Sequence, residues 1–223
     1  MVGKIVVILL FIAFFIIMLD SIISIKYINK YPCIGIFGKP GGGKTLLLTA
    51  YAKQHIKKKW TVYADFPCYI NGVKQFNDID FKEGKWLPDG RNDKGKIVEN
   101  ILLLVDEIGI LYNNRDFKTN FSNPEVLDFW KKHRHRGVKI IYASQSYNDM
   151  DKKLRVLTDL YVLMKDCFLR TIKIGKVVQV NTDISNDNKE VGGTIIDLYK
   201  YSSLLKWRFL YVPYWADKFN SFV

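Results

Sequence analysis

Hydrophobic and polar positions divide the chain into a series of elements. Ile5 to Leu19 carries fifteen residues without a charge, and Asp20 to Ile25 extends the stretch to twenty-one, interrupted by Asp20, Ser21 and Ser24. As a helix it spans roughly 30 Å, the hydrocarbon thickness of a bilayer. It reads as an uncleaved membrane anchor. A cleaved signal peptide is the competitor, because Lys4 gives a short positive flank, but no small-residue cleavage site lies near residues 20–30. Beyond it, short apolar runs suggest strands at 33–37, 61–64, 101–107, 139–143 and 160–164. Leu46 to about Lys58 has helical spacing, with Leu47, Leu48, Ala50 and Tyr51 set toward a core and Lys53, Lys57, Lys58 and Lys59 toward water. Strands apolar at every position suit a parallel sheet buried on both faces. The β/α alternation predicts an α/β fold, a mainly parallel central sheet flanked by helices, preceded by one N-terminal transmembrane helix.

Three segments break the alternation. Residues 76–100 are polar, with Gly84, Pro88, Gly90 and Gly95, and read as a surface insertion. Residues 171–181 alternate as a strand or hairpin, and 181–190 read as a loop. From Thr194 the chain is rich in aromatics, among them Tyr199, Tyr201, Trp207, Phe209, Tyr211, Tyr214, Trp215 and Phe219, interleaved with Lys200, Lys206 and Arg208. Such a tail suits packing on the sheet or a partner better than base stacking. The expected organisation is an anchor at 1–26, a nucleotide-binding core at 27–170 and a β- and aromatic-rich extension at 171–223.

The link between the first core strand and its helix holds the clearest chemistry. Gly38-Lys39-Pro40-Gly41-Gly42-Gly43-Lys44-Thr45 matches G-x-x-x-x-G-K-[ST], the Walker A or P-loop pattern. The glycines let successive backbone N–H groups point at one phosphate, and the helix that starts there adds its positive end. Gly38, Pro40, Gly41, Gly42, Gly43, Lys44, Thr45 and Leu46 are the expected nucleotide cradle. Lys44 would reach the β- and γ-phosphates and Thr45 would ligate Mg²⁺. ATP and Mg²⁺ are the expected cofactors.

Such a site needs a carboxylate at the end of a neighbouring strand. The run Ile101–Val105 ends in Asp106 and Glu107. Asp106 is the expected Mg²⁺ carboxylate and Glu107 the general base for water. Both serve one site only if the strand ends there, since adjacent strand residues face opposite ways. Gln145, just past the strand 139–143, is placed to sense the γ-phosphate.

Charge adds a partner class. Lys and Arg total 34 against 22 Asp and Glu, a formal net charge of +12, which suits polyanions such as nucleic acid, nucleotide phosphates or anionic lipid. The three cysteines, Cys33, Cys68 and Cys167, are scattered and form no C-x-x-C pattern, which argues against a disulfide framework or a zinc site. Lys26 and Lys30 beyond the apolar stretch lean toward a cytoplasmic C-terminal domain, and a site for ATP points the same way.

Taken in order, the P-loop at 38–45, "LLLVDEIG" at 102–109, Arg115, the helix-like "EVLDFWKKHRHRG" at 125–137, "VKIIYASQ" at 138–145 and "DMDKKLR" at 149–155 resemble the zonula occludens toxin (Zot) family of filamentous-phage ATPases. The telling piece is His133-Arg134-His135-Arg136-Gly137 followed by a strand and Ser144-Gln145. The resemblance covers about residues 33–165. It implies a P-loop NTPase of the FtsK/HerA-like branch, a motor that assembles and extrudes virions at the host cell membrane, acting as a homo-oligomer, with a ring as the expected assembly. Phage assembly or coat proteins are the implied partners, and DNA is a further one. Arg134 and Arg136 are candidates for the arginine that crosses a subunit boundary in such motors. One departure matters: better-known members carry the membrane helix after the ATPase domain, so their export contacts do not transfer. A DNA-packaging or DNA-transfer ATPase of the same superfamily, or a non-catalytic nucleotide-binding scaffold, remain the alternatives.

Overall fold

The computed structural model describes residues 2–116, 121–148, 150–168, 171–181, 194–197 and 208–211, with backbone alone at 2, 17–18, 20–28, 114, 165–168 and the last three segments. Its frame is one sheet. β1 (Cys33–Phe37), β2 (Thr61–Ala64), β3 (Val73–Gln75), β4 (Ile101–Val105), β5 (Val138–Ser144) and β6 (Leu160–Phe168) run parallel in the order β3-β2-β4-β5-β1-β6. β7 (Thr171–Asn181) then turns back antiparallel on β6, and both β8 (Thr194–Asp197) and β9 (Arg208–Tyr211) pair with β7. The expected α/β fold with a parallel six-strand sheet flanked by helices is what forms.

Alternation along each strand builds two cores. On β4, Leu102 and Leu104 face one side with Ile34, Ile36, Ile141 and Ala143, under Leu47, Leu48 and Tyr51 of α2 (Lys44–Lys57). Ile101, Leu103 and Val105 face the other side with Phe37, Ile140 and Tyr142, under Phe129 and Trp130 of a later helix. All five β4 residues and all seven of β5 are buried, which is why both runs are apolar without a break. A buried side chain of this size contributes about 1.5–3 kcal/mol.

α2 starts at the carboxyl end of β1 and returns across the sheet to the start of β2, so the amino ends of the strands form one edge. Its backbone ladder runs Thr61–Asn100, Ile101–Gly137, Ile140–Pro32 and Asp159–Cys33. We call this edge the base. The P-loop and the residues after β4 and β5 lie at the other edge.

α1 (Val2–Ile28) precedes the sheet as one continuous helix of 27 residues. Its described apolar side chains from Ile5 to Ile16 are exposed. Among the residues with described side chains no stretch is long and apolar enough to cross a membrane, although the helical backbone continues to Ile28. Asn29, just past its end, is tied to the base: its carbonyl accepts from Lys139 Nζ at 2.9 Å and its side-chain amide donates to Gln54 at 3.1 Å.

Three expectations change. The segment 76–100 is not wholly a surface insertion. α3 (Asp78–Glu83), capped by Asn77, sinks Phe81 into the core, and Phe76 stacks on Trp86 at 5.0 Å; only 91–100 is exposed throughout. The helix expected at 125–137 is α5 (Pro124–Lys132) alone, followed by a 3-10 turn over His133–Arg136 that Gly137 ends with φ 71°. The strand expected to reach residue 107 stops at Val105. Of the loop expected at 181–190, Asn181 ends β7, and the rest of it and most of the aromatic tail lie outside the described residues.

Candidate functional site

The P-loop wraps back on itself before α2 begins. Gly41 and Gly43 have φ of 73° and 82°, a left-handed conformation that glycine adopts without a side-chain clash. Gly42 N–H donates to the Lys39 carbonyl at 3.1 Å, and a Cβ at Gly42 would stand 3.0 Å from that oxygen. α2, at 14 residues, puts its amino end at the loop. Lys44 is buried, and its ammonium donates to the carbonyls of Gly38 at 3.0 Å and Lys39 at 3.2 Å. Pro40 is exposed at the tip, while Leu46 packs inward with the α2 core.

The acidic residues arrive from two strands away. β5 lies between β1 and β4, and Thr45, in the first turn of α2, reaches over it. Thr45 Oγ1 donates to Asp106 Oδ2 at 2.6 Å. The other Asp106 oxygen accepts the Glu107 N–H at 3.0 Å. Glu107 sits in the left-handed region at φ 48°, ψ 44°, and begins α4 (Ile108–Leu111). That break re-aims its carboxylate toward the site that Asp106 faces, which a continuing strand would forbid. Gln145 Nε2 donates to Glu107 Oε1 at 3.2 Å. Gln145 therefore comes from the interposed strand to the carboxylate expected to act on water.

A hydroxyl and a carboxylate oxygen in contact form a hard-donor pair. Mg²⁺ takes one or two such protein ligands and completes its shell with phosphate oxygens and water, so Thr45 and Asp106 fit it.

One residue escaped sequence analysis. Asp65 follows β2 directly, and its Oδ1 accepts the Asp106 N–H at 2.8 Å. Burial pushes its carboxyl up to about 8, the Asp106 N–H opposes this, and the negative Asp106 side chain adds to it. Asp65 stands to β2 as Asp106 stands to β4, an acidic residue closing an apolar strand. That parallel was the available signal.

Arg134 and Arg136 are not brought to the P-loop within the chain. Both precede β5, at the base. Arg136 is half-enclosed: its guanidinium lies 3.4 Å from Asp128 and 3.9 Å from Asp89, over the Phe129 ring at 5.6 Å. Arg134 is exposed. Arg115 is exposed in a 3-10 turn, Asn114–Asp116, and Arg155 stacks on Tyr147, 4.9 Å from the ring centre.

The family model of the zonular occludens toxin (Zot) matches residues 37–206, from the end of β1 to beyond β8. The chain belongs to the Zot family. Among solved structures it is similar to the N-terminal domain of zonular occludens toxin from Neisseria meningitidis, at 16% identity over 85% of this chain and 100% of that one, TM-score 0.49. It is also similar to the genome packaging NTPase B204 from Sulfolobus turreted icosahedral virus 2 in complex with ATP-gammaS, at 18% identity over 61% and 75%, TM-score 0.46. Thermomonospora curvata EccC (ATPases 2 and 3) is similar at 13% identity over 83% and 37%, TM-score 0.43. No curated protein matches.

Proposed function

We propose that this Zot-family chain is a membrane-anchored, Mg²⁺-dependent ATPase motor that drives filamentous-phage assembly and extrusion. The observation that carries the catalytic part is the contact of Thr45 with Asp106, with Glu107 and Gln145 alongside, behind a P-loop. The loop N–H groups and Lys44 bind the phosphates. Bound Mg²⁺ would neutralise charge on the β- and γ-phosphate oxygens. Glu107 takes a proton from the attacking water, whose oxygen bonds to the γ-phosphorus as the bond to the β-phosphate oxygen breaks and ADP leaves. Gln145 orients Glu107 and would sense the γ-phosphate.

The anchor is α1. A helix of 27 residues is about 40 Å long, more than the hydrocarbon layer needs. Its exposed side chains from Ile5 to Ile16 are apolar on every side, which suits lipid. The ATPase domain then faces the cytoplasm of the host, where ATP is. Family membership supports a homo-oligomer, with a ring as the expected assembly and phage assembly or coat proteins as partners. In such a ring Arg134, exposed, is better placed than the paired Arg136 to reach a neighbouring subunit.

ATP turnover by the full-length chain in detergent, beside Lys44→Ala, tests this reading. Turnover that vanishes in Lys44→Ala supports the enzyme. Strong stimulation by single-stranded DNA would favour a packaging or transfer motor instead. Nucleotide binding without turnover, indifferent to Glu107→Gln, would leave a scaffold.

A further inference from the structure

On the face of the sheet that carries Phe129 and Trp130, the helices leave two patches of apolar surface exposed. The first is a knob. Ile79 of α3 is 57% exposed and Ile110 of α4 is 76% exposed, and the two line one hollow between their helices. Single exposed apolar residues are ordinary, but two large ones from separate elements, side by side, mark a contact surface. Asp78 and Asp80 flank Ile79 on α3, and the turn of the helix sets one to either side of it. Glu83, further along, is paired with Lys85 at 2.6 Å, and Lys82 lies over the Tyr112 ring, 6.0 Å from its centre.

The second patch is a socket. α5 and a short helix, α6 (Lys152–Val156), enclose a groove of about 650 Å³. Leu127, Leu157 and Val156, itself 53% exposed, give it an apolar floor, and Lys131, Lys152 and Lys153 stand exposed around it. Asp151, the acid of its lining, is buried and caps α6, accepting the Lys153 N–H at 2.7 Å. None of the ion pairs among the described residues uses Lys131, Lys152, Lys153, Asp78 or Asp80. A chain cannot fill its own socket with its own knob. α3 and α4 follow β3 and β4, whereas α6 leads into β6, with β5 and β1 between.

We infer that Ile79 and Ile110 of one copy of this chain seat in the groove over Leu127, Val156 and Leu157 of the next, with Asp78 and Asp80 against Lys131, Lys152 and Lys153. The inference deepens the homo-oligomer reading and rests on it. The surfaces are unlike, so each added copy still offers one knob and one socket, and such a contact closes into a ring where its rotation allows. An acidic segment of another protein would also suit the charge of the groove. The knob is favoured because it presents the acids and the apolar side chains together on the same chain. The contact also reaches the catalytic turn. Ile110 N–H donates to the Glu107 carbonyl at 2.8 Å, so a copy seated on Ile110 braces the turn that aims Glu107.

Charge exchange on the full chain in detergent, with and without ATP and Mg²⁺, tests this by sedimentation, which reads the contact whether or not ATP is hydrolysed. One variant carries Asp78→Lys with Asp80→Lys, the other Lys152→Glu with Lys153→Glu, and thermal melts near wild type establish that both fold. Each variant alone sets like charges against each other and should associate about tenfold or more weakly than wild type. Their equimolar mixture sets each reversed surface against its opposite. It should associate as wild type does, with turnover per chain returning alongside. A variant that associates alone as wild type does, or a mixture that stays monomeric, overturns the contact, leaves the homo-oligomer standing and frees the groove for an acidic segment of another protein. Wild-type chain that sediments as a monomer throughout overturns the homo-oligomer and this inference together. Turnover indifferent to association overturns the bracing of Glu107.

Discussion

Thr45 Oγ1 and Asp106 Oδ2 meet at 2.6 Å, although β5 stands between β4, which Asp106 follows, and β1, which leads into the helix of Thr45. The pair supplies the only protein oxygens the proposed Mg²⁺ needs. Asp106→Asn keeps the shape and removes the charge. Turnover is expected to fall about 100-fold or more, with the thermal midpoint near wild type. Phosphate release beside a far-ultraviolet melt checks this, and an Asn variant with normal turnover refutes the assignment.

Glu107 is held by its left-handed backbone and by Gln145. Glu107→Gln should retain nucleotide binding and lose on the order of 10²–10⁴ in turnover, the usual contribution of a general base. Fluorescent-nucleotide titration and steady-state kinetics separate the two effects. Loss of binding in step with turnover would place Glu107 in the cradle instead.

Asp65 acts on Asp106 through one hydrogen bond. Asp65→Asn keeps an acceptor oxygen there and should fold and turn over much as wild type does. Asp65→Ala leaves the Asp106 N–H unpaired, at a cost of about 1–3 kcal/mol in stability. Its turnover should also fall about tenfold, through Asp106 misplaced by a fraction of an ångström. Denaturant melts and kcat measured on both variants decide the matter; an Ala variant equal to Asn would show that the bond positions nothing.

His55 makes folding sensitive to acid. Its ring is buried, Nδ1–H donates to the Tyr51 carbonyl at 2.8 Å, and burial draws its pKa from 6.5 to about 4. Between those values the unfolded chain binds a proton that the folded chain refuses, so stability falls as pH drops from 6.5 toward 4. The loss is on the order of 2–3 kcal/mol for this residue. His133 is drawn in the same direction by burial. Urea melts at pH 7 and pH 5 should show the drop, and it should shrink in His55→Gln. An equal drop in both chains would clear His55 of the effect.

Much of the site was legible because its chemistry is local. The P-loop is contiguous, and Asp106-Glu107 announce themselves by ending an unbroken apolar run. Their union with Thr45 followed from the general need of a bound phosphate for a metal carboxylate. Asp65 was not legible: "YADF" reads as an ordinary strand end, and only the register of β2 against β4 sets its carboxylate under the Asp106 N–H. β3, three residues with one half-buried side chain, offers no apolar period to read. Arg136 is a different case. The motif marks it as a candidate to cross a subunit boundary, and what the motif does not show is that Asp128 and Asp89 hold it at the base. Partners so distant in sequence leave no mark on local spacing.

β5 is buried along all seven residues, with Lys139 clasping the end of α1 near its start and Gln145 against Glu107 just past its finish. At about 3.3 Å per residue it is a strut of roughly 20 Å joining the P-loop edge to the base. Close-packed strands are stiff along their length and pass strain on with little loss. In the proposed motor, a change at Gln145 when the γ-phosphate departs would be delivered along a single piece of backbone to the foot of α1.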